Sequence, residues 1–158
     1  MKAINFILLC CFCLTSCHSQ TKNNEMENDL KISLLFYPSM TIEDIRYSVD
    51  IVNDSLITKA FHIGIETTER KKLTDEQCRE IEKMTSALTQ KYDRSDNFGR
   101  GGWGCTLKVD NQTYYEDNYF SFGLPSPRMG LQPTPEEIKL LIDYLVGLSP
   151  IPIVLYWF

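Results

Sequence analysis

The sequence predicts an α+β fold in which an antiparallel sheet, built from two hairpins and short strands, packs against two helices. Two pairs of β-prone segments flank turn sequences at Asn53-Asp54 and Asp110-Asn111. Two further segments show helical spacing of apolar residues after helix-start signals. Strands and helices do not alternate regularly, which disfavours a doubly wound parallel sheet. A chain of 158 residues is the usual size for one domain.

The first strands lie in the N-terminal half of this domain. Residues 31–37 form a short apolar run that a proline ends, which indicates a strand. Residues 45–52 alternate between apolar and polar side chains, and residues 55–63 continue as the partner strand after the turn. Residues 64–72 carry several charges, which is typical of an edge strand or a loop.

A helix is predicted to begin after Thr74. Thr74 is the expected N-cap and Gln77 completes a capping box, since each side chain can bond to the backbone of the other residue. An apolar stripe follows at helical spacing, which predicts a buried face formed by Cys78, Ile81, Met84 and Leu88.

The next segments predict the second hairpin. Residues 93–104 form a glycine-rich loop, and residues 105–109 and 112–117 flank the Asp110-Asn111 turn. A regular two-residue turn would place Leu107 opposite Tyr114, and Thr106 opposite Tyr115 on the outer face. Residues 119–122 are expected to form a further short strand.

The C-terminal segments predict the second helix and an apolar tail. Thr134 is the expected N-cap and proline follows it as the first helical residue. Gly147 is expected to end the helix in the left-handed conformation. Residues 151–158 are almost entirely apolar, so we expect a final strand or a plug of the core. The predicted buried stripe consists of Ile138, Leu141, Ile142 and Leu145.

The N-terminus carries an export signal. Lys2 precedes an apolar run at residues 4–14, which is too short to span a bilayer but is typical of a secretory signal. Residues 14–17 read Leu-Thr-Ser-Cys, and this segment resembles the lipobox of bacterial lipoproteins. The resemblance implies cleavage after Ser16 and lipidation of Cys17, with three acyl chains that suffice for stable anchoring.

The resemblance also sets the expected domain organisation and location. Residues 1–16 would be the signal peptide, residues 17–29 the lipidated cysteine and a polar tether, and residues 30–158 the globular domain. A flexible tether of this length holds the domain on the order of 20 Å from the bilayer. Lipoproteins kept in the inner membrane commonly carry Asp where this chain has His18, so we expect sorting to the outer membrane in a host with two membranes.

The composition argues against several function classes. The net charge of −5 disfavours nucleic-acid binding, which needs clustered Lys and Arg. His62 is the single histidine of the domain and no C-x-x-C pair accompanies it, so we expect no metal. Residues 99–104 match G-x-G-x-x-G, but the segment follows a helix and precedes a strand, which is the reverse of a dinucleotide site. We therefore assign no catalytic residue and no cofactor.

The aromatic residues of the second hairpin form a candidate binding patch, with two arginines near them in sequence. Aromatic faces beside polar groups can stack on sugars or anchor a protein partner. The alternative is that these rings pack inside the sheet. The candidate residues are Arg100, Trp103, Tyr115, Tyr119 and Arg128.

The two cysteines of the domain leave two interpretations open. Cys78 lies on the predicted buried stripe of the first helix, and Cys105 opens a strand of the second hairpin. Export to an oxidising envelope allows a disulfide between them, whereas the alternative is two buried thiols.

These observations together favour a lipid-anchored, non-enzymatic envelope protein that binds or scaffolds an envelope protein or glycan. The alternative is an enzyme, or an enzyme-associated factor, that acts on envelope glycans. Its acid and base groups would be carboxylates such as Asp93, Asp96 or Glu116.

Overall fold

The computed structural model describes residues 30–38, 44–95, 102–120 and 134–155. Within these ranges a seven-stranded sheet packs with two helices, which confirms the predicted α+β class. No helix in the described ranges is long and apolar enough to cross a membrane. The elements are β1 (Lys31–Pro38), β2 (Ile45–Val52), β3 (Ser55–His62), β4 (Ile65–Lys72), α1 (Asp75–Ser86), β5 (Tyr92–Arg94), β6 (Trp103–Val109), β7 (Gln112–Phe120) and α2 (Glu136–Leu148).

The sheet is larger than the predicted arrangement of two hairpins and short strands. Its order is β4-β3-β2-β1-β6-β7-β5, and all neighbours are antiparallel except β5 and β7. The sequence predicted either an edge strand or a loop at residues 64–72. Residues 65–72 form the edge strand β4. Residues 119 and 120 belong to β7 instead of starting a separate strand.

Three two-residue turns connect neighbouring strands of this sheet. Asn53 and the pair Asp110-Asn111 have positive φ angles, which these residue types tolerate. The turn between β3 and β4 instead uses Ile63 at φ 47° and Gly64 at φ 80°. A β-branched residue with positive φ is strained, and the backbone N of Ile63 donates to the backbone oxygen of Asp44 at 3.2 Å.

A β-bulge changes the predicted register of β6 and β7. The register shifts between Leu107 and Lys108, so that Leu107 lies opposite Tyr115 and Thr106 lies opposite Glu116. The expected pairs, Leu107 with Tyr114 and Thr106 with Tyr115, were wrong because a bulge adds one unpaired residue and turns the following side chains to the other face.

The core lies between one face of the sheet and the two helices. The strands contribute alternate residues such as Ile32, Leu34 and Phe36 of β1, which is the pattern of a sheet covered on one side. Helix α2 buries the four apolar residues that its helical spacing predicted, and α1 buries Ile81.

Helix α1 begins as predicted. Gln77 N donates to Thr74 Oγ1 at 3.2 Å, and Thr74 N donates to Gln77 Oε1 at 3.0 Å, which completes the capping box. Helix α2 begins one residue later than expected, with Pro135 as N-cap and no side-chain cap. It also runs through Gly147 to Leu148, so the predicted left-handed end at Gly147 was wrong.

The segment after α2 packs against the sheet without forming a strand in residues 149–155. Thr58, which is buried on β3, bonds to Ser149 across 3.0 Å between their hydroxyl oxygens. Ile153 and Leu155 pack partly against the core. The expected plug is therefore present in part, whereas a strand is absent from residues 151–155, and residues 156–158 lie outside the described residues.

Candidate functional site

The predicted aromatic patch is not a surface feature. Trp103, Tyr115 and Tyr119 have exposed fractions of 3%, 0% and 9%, so all three are buried. The ring of Trp103 packs 5.9 Å from the ring of Tyr47. Arg100 and Arg128 lie outside the described residues. The described part of the patch therefore belongs to the core, which was the alternative interpretation of these rings.

The buried Tyr115 belongs to a polar network inside the core. Its hydroxyl donates to Asp117 Oδ2 at 2.8 Å and lies 3.2 Å from the hydroxyl of Thr134. A phenol has one hydrogen, so Thr134 donates to Tyr115. Tyr119 N donates to the other carboxylate oxygen of Asp117 at 2.8 Å. Thr134, the expected helix cap, thus ties the chain before α2 to β7.

The two cysteines are both free thiols in the structure. The sequence allowed either a disulfide or two thiols, and the structure contains two thiols. Cys105 is fully buried and lies opposite Asp117, and burial raises the pKa of its thiol. Partial burial also raises the pKa of Cys78. Thiols with a raised pKa are poor nucleophiles at neutral pH, so neither is suited to thiolate chemistry.

The face of the sheet opposite the helices, which we call the open face, carries side chains that are half-buried or exposed. Its register forms an unbroken row across all seven strands. From β4 to β5 the row is Thr68, Lys59, Ser48, Leu35, Thr106, Glu116 and Asp93. Polar groups thus dominate the open face and the row ends in two carboxylates.

Polar side chains at this acidic end form the candidate functional site. Tyr37 Oη donates to Asn118 Oδ1 at 3.1 Å, and Asn118 Nδ2 donates to the backbone oxygen of Ser95. The residues come from β1, β6, β7 and β5 with the residue that follows it, and adjacent strands are about 4.8 Å apart. We call this group the open-face cluster, and it consists of Tyr37, Asp93, Ser95, Thr106, Glu116 and Asn118.

Tyr37 is positioned by a glycine on the neighbouring strand. Tyr37 lies opposite Gly104, and its ring covers that glycine so closely that a β-carbon there would overlap Cε2 and Cζ. Burial raises the pKa of the Tyr37 hydroxyl, a hydrogen bond with Thr106 opposes that effect, and the Glu116 carboxylate adds to it. The hydroxyl therefore remains protonated at neutral pH and acts as a hydrogen-bond donor.

Two acidic residues of the cluster lie on neighbouring strands. Asp93 and Glu116 are register partners on the parallel strands β5 and β7. Ser95 donates to Asp93 Oδ1 from its backbone N at 3.0 Å and from its hydroxyl at 2.7 Å. These two bonds lower the pKa of Asp93, the backbone bond most. The ionised Asp93 is an acceptor for ligand groups that donate hydrogen bonds, such as hydroxyls and amines.

A groove lies at the other end of the strands, beside the residue where the described chain begins. It has a volume of about 470 Å³ and separates the end of α1 from the β6–β7 turn. Its lining combines apolar and acidic groups with two hydroxyls that donate to carbonyls of α1. The lining residues are Leu30, Glu82, Thr85, Ser86, Val109, Asp110 and Tyr114.

Comparison with family models, with curated proteins and with solved structures finds no match to this chain. Among the described residues, no three His, Cys, Asp or Glu side chains come together as a metal site.

The sequence pointed to three carboxylates as candidate acid and base groups: Asp93 and Glu116 belong to the open-face cluster, whereas Asp96 lies outside the described residues. Sequence reasoning missed Tyr37, Thr106 and Asn118, because their proximity depends on β1 pairing with β6 and on the bulged register of β7. The signal that was available is Gly104, since an isolated glycine in a strand often marks the close approach of another group.

Proposed function

We propose that this protein is a lipid-anchored component of the bacterial cell envelope, and that its domain binds another envelope component through the open face. The Leu-Thr-Ser-Cys segment at residues 14–17 carries the anchor. The open-face cluster carries the binding function, because it gathers polar groups from four strands on the face that the helices leave uncovered.

The extent of the cluster supports binding. Groups spread over four adjacent strands span about 14 Å, which suits a ligand that lies along a surface. Two carboxylates and the Asn118 amide favour a ligand with several hydroxyl or amine donors. A glycan chain or a lysine-bearing segment of an envelope protein has this chemistry.

Fatty-acid labelling tests the anchor. Labelled palmitate should enter the wild-type protein, and Cys17→Ser should abolish both the label and the retention of the protein in the membrane fraction. A Cys17→Ser variant that still carries label would overturn the lipobox interpretation.

Retention on isolated envelope material tests the binding function separately. The Cys17→Ser variant, which removes the lipid contribution, should bind to washed envelope fragments. Replacement of both carboxylates, Asp93→Asn with Glu116→Gln, should weaken that binding about tenfold, the effect of losing one charged hydrogen bond. The matched control neutralises Asp75 and Glu76, which lie on the exposed first turn of α1. Equal losses in both variants would contradict binding through the cluster.

A second candidate function follows from the pairing of Asp93 with Glu116. Two neighbouring carboxylates are the usual catalytic groups of glycoside hydrolases. Asp93, whose pKa is lowered by its bonds with Ser95, would then act as the base or nucleophile, and Glu116 would be the second carboxyl group of the pair. The purified protein would then release soluble fragments from envelope glycans, and Glu116→Gln would reduce that rate by about 10²–10⁴-fold. Absence of any release contradicts this candidate.

A further inference from the structure

The two edges of the sheet differ in length. Strand β5 at one edge has three residues, whereas β4 at the other edge has eight and contains neither proline nor a bulge. His62 and Ile65 close a two-residue turn, so the odd-numbered residues of β4 exchange backbone hydrogen bonds with β3. The backbone N–H and C=O groups of Glu66, Thr68 and Arg70 therefore point away from the sheet.

Charged residues normally protect an edge strand from pairing, because a second strand would bring like charges together or bury lysine side chains. The charges of β4 instead complement each other when the strand meets a copy of itself in antiparallel orientation. If Thr68 lies opposite Thr68 of the second copy, Glu66 lies opposite Arg70 twice, and Thr67 lies opposite Glu69. If Glu69 instead lay opposite Glu69 of the second copy, two carboxylates would face each other.

This register also covers the most exposed large apolar residue of the described chain. Ile65 has 69% of its surface exposed, on the side of the sheet that carries the helices. In the antiparallel register it lies opposite Lys71 of the second copy. The ammonium group of Lys71 is fixed, because Nζ donates to the backbone oxygen of Leu148 at 3.3 Å. The aliphatic stem of Lys71 thus offers Ile65 an apolar contact.

We propose that the protein self-associates through β4, with two copies joining their sheets edge to edge about a two-fold axis at Thr68. The free backbone groups of Glu66, Thr68 and Arg70 form the new ladder, and the two Glu66–Arg70 pairs fix its register. The interface is narrow, so the dimer is weak in solution. Confinement of both copies to one membrane raises their effective concentration and favours it, although the pairing itself does not depend on the anchor.

A cysteine on the two-fold axis tests this register in the full-length protein, expressed in a bacterial envelope. Residues opposite each other in a hydrogen-bonded antiparallel pair have Cα atoms about 5.5 Å apart, which permits a disulfide. Thr68→Cys should therefore form a covalent homodimer on oxidation. The matched control is Thr67→Cys, which is also exposed but would lie more than about 7 Å from its own copy. The unmodified chain controls for Cys78 and Cys105.

The outcomes separate the possible occupants of the edge. A homodimer from Thr68→Cys at about ten times the yield from Thr67→Cys supports the proposal. Equal yields, no homodimer, or a disulfide from the introduced cysteine to a different protein in place of the homodimer would overturn it.

Charge exchange gives an independent readout without an added cysteine. Sedimentation of the full-length protein in density-matched detergent measures its dissociation constant. Arg70→Glu places two glutamates opposite each other at both ends of the ladder and should raise that constant about tenfold. The double variant Glu66→Arg with Arg70→Glu should restore it. A monomer at all concentrations, or a dimer that neither change affects, contradicts pairing through β4.

Discussion

Asp117 shows how single residues organise the core of this protein. Its side chain is 4% exposed, and a carboxylate so deeply placed requires hydrogen-bond partners. Tyr115 and the backbone of Tyr119 supply two of them, both from β7 itself. The carboxylate therefore stabilises the part of β7 that follows its bulge. Through Tyr115 it also stabilises Thr134, in the segment that leads into α2.

Removal of the Tyr115 hydroxyl should destabilise the fold. Tyr115→Phe leaves Asp117 and Thr134 each without one buried partner, so we expect the free energy of unfolding to fall by about 1–3 kcal/mol. Urea denaturation measures this change. The matched control is Tyr114→Phe, at the neighbouring half-buried position, where a loss below about 0.5 kcal/mol is expected. Equal losses at both positions would contradict the network.

The two cysteines should behave as unpaired thiols that differ in their accessibility to reagents. Mass measurement after alkylation without reductant should show one slow addition to the folded protein, at Cys78, because Cys105 is fully buried and the pKa of its thiol is raised. Unfolding should expose the second thiol. If the unreduced, unfolded protein takes up no alkylating reagent at either cysteine, the two residues are bonded, which would contradict the two free thiols.

Asp93 should titrate below the ordinary aspartate pKa of about 3.9. Ser95→Ala removes the hydroxyl donor and keeps the backbone donor, so the pKa of Asp93 should rise part of the way back, as NMR titration of the carboxyl group can measure. Because the folded-state pKa is depressed, the contribution of Asp93 to stability is present above the unfolded pKa and is lost as pH falls through the folded pKa. An unchanged titration in Ser95→Ala would contradict the bond.

Individual elements are predictable where their signals are local. The capping box of α1 joins two residues that are three positions apart, and the structure contains it. The bulge in β7 cannot be predicted from local sequence, because it depends on the pairing of Tyr115 with Leu107 on the neighbouring strand. That shift moved Tyr115 from the predicted surface to the interior. Thr134 likewise fits a cap by sequence, but its hydroxyl bonds to Tyr115 instead.

The strained turn between β3 and β4 gives a test at the scale of the element. Ile63→Asn should stabilise the protein by about 1 kcal/mol, because asparagine adopts a positive φ more easily than a β-branched residue. The matched change in the opposite sense is Asn53→Ile, which places isoleucine at φ 58° and should destabilise by a similar amount. Thermal or urea unfolding of both variants checks the pair, and a destabilised Ile63→Asn would show that the isoleucine side chain has packing of its own.

The whole molecule is less predictable than its elements. Strand order depends on pairings between distant segments, such as β1 with β6 and β5 with β7. The open-face cluster exists only in that order, since its residues are as far apart in sequence as Tyr37 and Asn118, which are 81 positions apart. Periodicity can identify the face on which each residue lies, but it cannot identify the neighbouring strand.

The two sides of the sheet have different surroundings, and we propose separate roles for them. The helix-covered side contains the core that stabilises the domain, and the open face is the side through which we propose that an envelope component binds. In the proposed function, a lipid anchor at Cys17 would hold the domain about 20 Å from the bilayer, within reach of other envelope components.

Site-specific photocrosslinking in intact cells is the strongest test of binding through the open face. A photoreactive residue replaces Thr106, at the centre of the open-face cluster, or Glu76, on the exposed first turn of α1. We expect a discrete adduct from position 106 alone, and a decrease of about tenfold in that adduct when Asp93→Asn and Glu116→Gln are added. An adduct from position 76 alone, equal adducts from both positions, or an adduct from position 106 that survives the loss of both carboxylates would contradict binding through the open face.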